Sequence, residues 1–516
     1  MRFFVTLKHS FIQTFKNFYQ NNSRTKKFKM EKRIIPRRKA LTANIGIFGV
    51  GYWKYWEQFD GLLDELIAKQ NLFVDKVNQY GVNVKDFGMV DDAESAYRLV
   101  PELKAANLDL IFCDMVTYAT SVTFGTIIRN IDIPIVMVAL QPLKALDYEK
   151  ATTYMQLCND DFCSVPEFAG VAIRMGKEVP DVIIGTLEND EEADKEIEKY
   201  CQIAKVLHDL KNARIGHFGH PIEAMLDMHS DPTMFTAAFG CHIVQTEAED
   251  ILKHYEQVNE PEILEKEKEI LSFFDTPTPV SDPITRKLSK EDLQTAARVA
   301  IALNRFVEEK KLDGLAYYYE SLEDSVLRKV VTNLIVGNSL LTAAGFPMCG
   351  ESDLKTAIAM LIMDRLDIGG SFAEFHPIDF ENGFILVGHD GPHHINIADG
   401  KPVLRSLTKY HGKPGNGASV EFKIKEGPIT MLSISSTYEG KFKFVIAEGK
   451  SVQGPIPATG NTNTRGYFKP DIKTFLKRWV AEGPTHHFAL GIGHHAQTIK
   501  KIANYLGVEA VIISKD

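Results

Sequence analysis

Three short, almost unbroken apolar runs, with helical spacing in the stretches around them, constrain this chain more than any other feature. They are Asn44-Ile45-Gly46-Ile47-Phe48-Gly49, Leu108-Asp109-Leu110-Ile111-Phe112-Cys113, and Ile135-Val136-Met137-Val138-Ala139 with Pro134 at its entry. A strand with one face in water alternates apolar and polar residues. One that is apolar throughout is buried on both faces, which implies a parallel sheet covered by helices. Residues 57–77 supply such a helix, with Phe59, Leu62, Leu63, Leu66 and Ile67 at helical spacing. The predicted class is therefore α/β, with ligands expected beyond the carboxyl ends of the strands, at Gly49-Val50-Gly51-Tyr52-Trp53 and Asp114-Met115-Val116-Thr117-Tyr118. The glycines Gly46, Gly49 and Gly51 run G-x-x-G-x-G rather than G-x-G-x-x-G, and Trp53 and Tyr55 crowd the turn. They read as a tight strand-to-helix turn, not a dinucleotide site.

At 516 residues the chain exceeds what one hydrophobic core can hold. After an acidic helical stretch (residues 188–199), a second α/β unit opens at Arg214-Ile215-Gly216-His217-Phe218. It continues through a charged helical stretch (246–268) and the connection Thr276-Pro277-Thr278-Pro279. Ser289 and Asp292 then cap a helix through Phe306, and a strand follows at Leu315-Ala316-Tyr317-Tyr318-Tyr319. Past Gly370 helical spacing gives way to short alternating segments: 384–387, 418–424, 430–434 and 443–446, with a turn at Tyr438-Glu439-Gly440-Lys441. The expected architecture is two doubly wound parallel-sheet α/β domains, residues 41–178 and 179–370. A mainly antiparallel, barrel-like β domain with a terminal helix (497–506) follows at 371–516.

The net charge of −9 argues against a nucleic-acid partner, and no apolar run reaches transmembrane length. Cys113, Cys158, Cys163, Cys201, Cys241 and Cys349 contain no C-x-x-C pair and read as free thiols in a reducing cytoplasm. The first 29 residues carry seven basic residues and no acidic one. That fits a targeting segment, but the sequence reading prefers Met30 as the true start, and it sets residues 1–40 outside the fold as a basic leader.

Chemistry-bearing side chains gather in the C-terminal third. Glu351 lies in Gly350-Glu351-Ser352-Asp353-Leu354-Lys355-Thr356-Ala357, and Glu374 sits between aromatics in Phe372-Ala373-Glu374-Phe375. His389 ends the apolar run Leu386-Val387-Gly388, and His494 and His495 follow Gly493. Carboxylates with imidazoles suit a borderline divalent ion such as Mn²⁺. Each has a plain structural explanation as well: Glu351 and Asp353 at a helix start, where negative charge is favoured, and the histidines as hydrogen-bonded core groups. His217, His220, His393, His394, His486 and His487 show how many other histidines compete for the same role.

Together these segments resemble the L-arabinose isomerases. Gly-Glu-Ser-Asp-Leu-Lys-Thr-Ala is similar to that family's Glu-x-Asp-x-Lys-Thr-Ala, and Gly369-Gly370-Ser371-Phe372-Ala373-Glu374 to its Gly-Gly-x-Ser-Phe-x-Glu. Leu386-Val387-Gly388-His389 resembles Leu-Gly-x-His, and Gly491-Ile492-Gly493-His494-His495 resembles Gly-Gly-x-His-His. Weaker similarity runs upstream through 155–157, 167–170, 172–175 and 216–219. The resemblance implies a metal-dependent aldose–ketose isomerase working through a cis-enediol. Its Mn²⁺ (or another divalent cation) would be held by Glu351, Glu374, His389 and His495, with Glu351 and Glu374 as the acid/base pair. It also implies a homo-oligomer, hexamer or tetramer, acting on a small aldose or ketose, with His494 and His393 as candidate substrate contacts. Three departures fall where the family would read the sugar: Gly49-Val50-Gly51-Tyr52-Trp53, Val116 in place of a His, and Gly391-Pro392-His393-His394. They leave the sugar open, and with it two alternatives. One is a sugar-binding protein without catalysis; the other is a metal-dependent epimerase, lyase or aldolase acting on a sugar acid.

Overall fold

The computed structural model describes residues 33–278, 282–390, 393–409, 415–457 and 460–513. The basic leader up to residue 32, Pro279, and the departure at Gly391 and Pro392 lie outside the described residues.

β1 (Asn44–Val50), β2 (Asn83–Val90), β3 (Leu110–Asp114), β4 (Ile135–Gln141) and β5 (Asp181–Thr186) form one wholly parallel sheet in the order 2-1-3-4-5. The three apolar runs are its centre: β1, β3 and β4 are buried almost from end to end. The edge strands β2 and β5 are largely exposed or half-buried, so they carry no apolar run to be read. The sheet extends to Thr186 because β5 pairs with β4. In the turn after β1 a Cβ on Gly51 would strike the Trp56 indole at 2.8 Å, so that glycine makes room for the chain's own aromatic residue.

The chain continues through β6 (Arg214–Phe218), β7 (His242–Thr246), the two-residue β8 (Thr285–Arg286), β9 (Gly314–Tyr317) and β10 (Met348–Cys349). All but β8 form a second parallel sheet in the order 10-9-6-7. It starts in the interior at β6, lays β7 on one side, then crosses to β9 and β10 on the other. The order therefore reverses between β6 and β9, and the carboxyl ends of those two strands flank a crevice. The helix Lys290–Glu309 begins as expected, with Ser289 Oγ accepting from the Asp292 N–H at 3.0 Å.

β11 (Gly369–Asp379), β12 (Phe384–Gly388), β13 (Val403–Leu407), β14 (Gly417–Glu421), β15 (Gly427–Ser436), β16 (Phe442–Val452), β17 (Thr464–Tyr467), β18 (Phe488–Ile492) and β19 (Glu509–Ile512) complete the strands. Six of them pair antiparallel in the order 15-18-11-12-17-16, and β15 pairs with β16 to close the ring. Closure leaves those six strands no open edge. β19 adds to β16 in parallel, and β8, β13 and β14 make a small separate sheet. The architecture is that expected: two parallel-sheet α/β layers and an antiparallel barrel. All six cysteines are free, and only Cys163 is exposed. Among the described residues no helix is long and apolar enough to cross a membrane.

One helix, Leu354–Arg365, has all twelve residues buried. It packs on β11, β15 and β18 of the barrel and on β9 and β10 of the second sheet. A helix apolar on every side belongs inside a structure rather than on its surface. β11 crosses it so closely that a Cβ on Gly370 (φ +101°) would lie 2.8 Å from the Met360 carbonyl oxygen. That position needs glycine for both space and backbone. Near the helix end, the buried Asp364 pairs with Arg37 and Arg365 and accepts from His394 Nε2 at 3.1 Å. Arg37 also bonds Asp367 at 3.0 Å, and the Arg38 N–H donates to the Ala344 carbonyl. Part of the stretch set outside the fold by sequence is thus tied to it, because a buried carboxylate needs a cation.

Burial alone would raise the Asp364 carboxyl. The hydrogen bond from His394 and the charges of Arg365 and Arg37 outweigh it and hold the group well below its ordinary value. A depressed carboxyl stabilises the fold above its unfolded value and loses that contribution as pH falls. Asp364→Asn is expected to cost about 3–5 kcal/mol at pH 7, the penalty for breaking a buried pair. Urea midpoints of the two proteins should converge as pH falls below about 4.

Candidate metal and acid/base site

The site begins at the turn between β10 and the buried helix. Glu351 and Ser352 both adopt left-handed backbone, φ +59° and +57°, which non-glycine residues seldom do. The turn is pinned across the β6/β9 crevice. The Ser352 N–H donates to the Tyr317 carbonyl at 2.9 Å, and Ser352 Oγ donates to the Phe218 carbonyl at 3.1 Å. Asp353 then caps the helix, accepting from the Thr356 N–H (3.1 Å) and hydroxyl (2.7 Å). Backbone conformations of this kind cost on the order of 1–3 kcal/mol each and gather at functional sites.

The barrel supplies the facing side. Glu374 in β11 lies opposite Gly388 of β12, so His389 follows at the strand end beside it. Ala373 lies opposite Phe488 of β18, which places His487, the residue before Phe488, next to Glu374. Three neighbouring strands thus present His487, Glu374 and His389 at one end of the barrel, with Phe372 packed 4.3 Å from the His389 ring and 4.4 Å from the His487 ring.

Across the gap, His389 Nε2 is 3.6 Å from Glu351 Oε1 and 3.8 Å from Glu374 Oε1. His487 Nε2 is 3.4 Å from Glu351 Oε2. Glu351, His389 and His487 are buried; Glu374 is half-buried. The other ring nitrogens are already engaged: His389 Nδ1 with the Asp390 carbonyl at 2.7 Å, and His487 Nδ1 with Asp353 Oδ2 at 3.1 Å. Burial pushes the Asp353 carboxyl up, but the His487 hydrogen bond, the Lys355 charge and the Thr356 hydroxyl prevail and hold it at about 2.

The buried His487 Nε2 makes no hydrogen bond among the described residues. Such an orphaned atom is costly unless a ligand takes it up. Ligand atoms of Glu351, His389 and His487 lie within 4.8 Å of one another, as do those of Glu374, His486 and His487. Bonds of about 2.0–2.2 Å to one ion would bring such atoms to within roughly 3–3.5 Å of each other. The donor set fits a divalent ion, and Asp353 behind His487 stands where an outer carboxylate would orient a metal-binding imidazole.

Of the residues singled out by sequence, the structure gathers Glu351, Glu374 and His389 but not His495. The fourth place goes to His487. His495 follows the opposite end of β18, whose five residues span roughly 17 Å. There its N–H donates to Thr430 Oγ1 at 3.0 Å, and burial pushes its imidazole pKa down. His494 beside it is exposed, and its Nε2–H donates to the Gly449 carbonyl at 3.0 Å. His393 packs edge-on to Phe422. Neither belongs to the two groups of possible ligands. Gly483-Pro484-Thr485-His486-His487 and Gly491-Ile492-Gly493-His494-His495 each match Gly-Gly-x-His-His with one departure, so spacing alone left a tie. Strand register breaks it.

Residues 215–369 match the family model described as the L-arabinose isomerase central domain, and residues 402–514 that of the L-fucose isomerase C-terminal domain. The chain belongs to the arabinose/fucose isomerase-like sugar isomerases. Among relatives, L-arabinose isomerase 1 of Bacillus licheniformis is 24% identical over 68% of this chain and 69% of its own length. The L-arabinose isomerase of Nocardioides sp. is 24% identical over the same shares, and that of Escherichia coli K12 is 22% identical over 68% and 70%. Glu351 falls in the central match and His487 in the C-terminal one. Glu374 and His389 lie between the two matched segments.

Asp353→Ala removes a helix cap and leaves a buried imidazole without its acceptor. We expect a loss of about 1–3 kcal/mol in unfolding free energy, read from urea denaturation.

Proposed function

We propose that this chain is a divalent-metal-dependent aldose–ketose isomerase, with Glu351, Glu374, His389 and His487 holding the ion and the two glutamates as acid/base pair. The observation that carries the reading is that two carboxylates from separate units stand within 4 Å of one imidazole. A structural ion pair needs only one.

Isomerisation of an open-chain aldose moves a proton from C2 to C1 and another from the C2 hydroxyl to the C1 oxygen. It passes through a cis-enediol whose oxygens carry developing negative charge. A divalent ion, when bound, supplies Lewis-acid stabilisation of that charge. The chain's own side chains do the rest. One glutamate takes the C2 proton and returns it to C1, and the other passes the hydroxyl proton between the oxygens. The half-buried Glu374 can reach an incoming sugar, whereas Glu351 is held by its strained turn. Phe372, against both imidazoles, keeps that side of the site dry.

We further take the ion to be Mn²⁺, the substrate a small neutral sugar, the assembly a homo-oligomer and the compartment the cytoplasm. Which aldose is used follows from the altered turns at Tyr52-Trp53 and Val116-Thr117-Tyr118, since a polar pocket rejects sugars that leave its groups unpaired.

The test is ketose formation by metal-stripped protein, with and without Mn²⁺, across L-arabinose, D-galactose, L-fucose and other aldoses. Mn²⁺ should restore turnover on at least one. Glu351→Gln and Glu374→Gln should each lower kcat by at least a hundredfold. Mn²⁺ titration separates the two histidine pairs: His487→Asn should lose binding at least tenfold, and His495→Asn should keep it. Mn²⁺ binding without turnover of any aldose would reassign the reaction to another class of sugar chemistry.

A further inference from the structure

The loop after β6 (residues 219–231) reaches the site and makes contacts that no step above uses. One carboxylate oxygen of Asp227 accepts from both the backbone N–H of His486 (2.9 Å) and its Nδ1 (2.7 Å). The Asp227 backbone carbonyl accepts from Lys355 Nζ at 2.7 Å, and Lys355 donates also to Ser230 Oγ at 3.2 Å. Lys355 is fully buried, so its ammonium depends on such acceptors.

His486 lies against His487, with ring centroids 3.8 Å apart at 44°, and a nitrogen of it falls within 4.8 Å of ligand atoms of Glu374 and His487. Two consecutive histidines therefore each carry a carboxylate on Nδ1: Asp353 on His487 and Asp227 on His486. A carboxylate at Nδ1 keeps the proton there and leaves Nε2 as the acceptor. Asp353 belongs to the buried helix, whereas Asp227 is 40% exposed and comes from a loop. The second clamp adds nothing to the core, which points to a role at the site.

We propose that Asp227 is a positioning residue: it fixes His486 as the Nδ1–H tautomer, so that Nε2 stands as an acceptor for a substrate hydroxyl beside Glu374. The catalytic consequence rests on the isomerase reading; the tautomer does not.

Asp227→Asn keeps an oxygen for the His486 N–H and the backbone carbonyl for Lys355, so the loop tether survives while the charge that selects the tautomer is lost. In the full-length protein with ¹⁵N-labelled histidine and diamagnetic Mg²⁺, His486 (assigned with His486→Asn) should carry its proton on Nδ1. In Asp227→Asn that preference should disappear. On the best aldose, Asp227→Asn should lower kcat/KM at least tenfold with Mn²⁺ affinity within threefold. Adding it to His486→Asn should cost nothing further. An unchanged His486 tautomer in Asp227→Asn, or losses that multiply in the double variant, would overturn the proposal. If the wild type isomerises no aldose, the functional reading fails and the tautomer measurement alone decides the role of Asp227.

Discussion

The helix Leu354–Arg365 has no face in water, and the rest of the molecule is arranged around that constraint. Its apolar sides are covered by the barrel and the second sheet. Its polar ends cannot turn to solvent, so each is satisfied by a residue of the helix itself together with partners from distant parts of the chain. At the start these are Thr356 and His487 on Asp353, with Lys355 reaching the loop after β6. At the finish they are Arg37, Arg365 and His394 on Asp364. A buried charge left alone costs far more than a surface one, so these contacts bind three units into one arrangement.

The candidate site grows from the first of those ends. Asp353 is both the cap of the helix and the anchor of His487, so that imidazole is oriented by a group the fold already needs. Glu351, two residues earlier, is presented by a left-handed turn that Ser352 ties to β6 and β9. Glu374 and His389 come from adjacent barrel strands whose register is set by cross-strand pairing. Oxygen and nitrogen donors are thus spaced too widely to hydrogen-bond one another well and closely enough to share an ion.

Much of this was legible beforehand, and the exceptions have physical causes. The central strands β1, β3 and β4 announce themselves because burial on both faces demands unbroken apolar runs. The edge strands β2 and β5 do not, because an exposed face relaxes the demand. Gly369 and Gly370 could be recognised as a motif, but their reasons, the approach of Ile397 to the first and of the Met360 carbonyl to the second, could not. Three of the four residues proposed as ligands were singled out in the sequence by the resemblance of their segments to the family's. For the fourth the sequence reading took His495, eight residues from the His487 that stands beside Glu351, since two His-His pairs flank one five-residue strand and nothing local separates them. Asp227 gave no signal at all: an acidic residue in a loop reads as solvated surface until its partner is known.

The sequence by itself determined the class of fold and the family and singled out candidate site residues, because periodicity, strand burial and short Gly-flanked carboxylate and histidine segments are local properties of the chain. Only the tertiary structure decided which histidine faces the glutamates, what closes the barrel and what holds each imidazole. Those depend on strand register and on contacts such as His487 with Asp353 and His486 with Asp227, where a shift along one strand carries a side chain from one end of the barrel to the other.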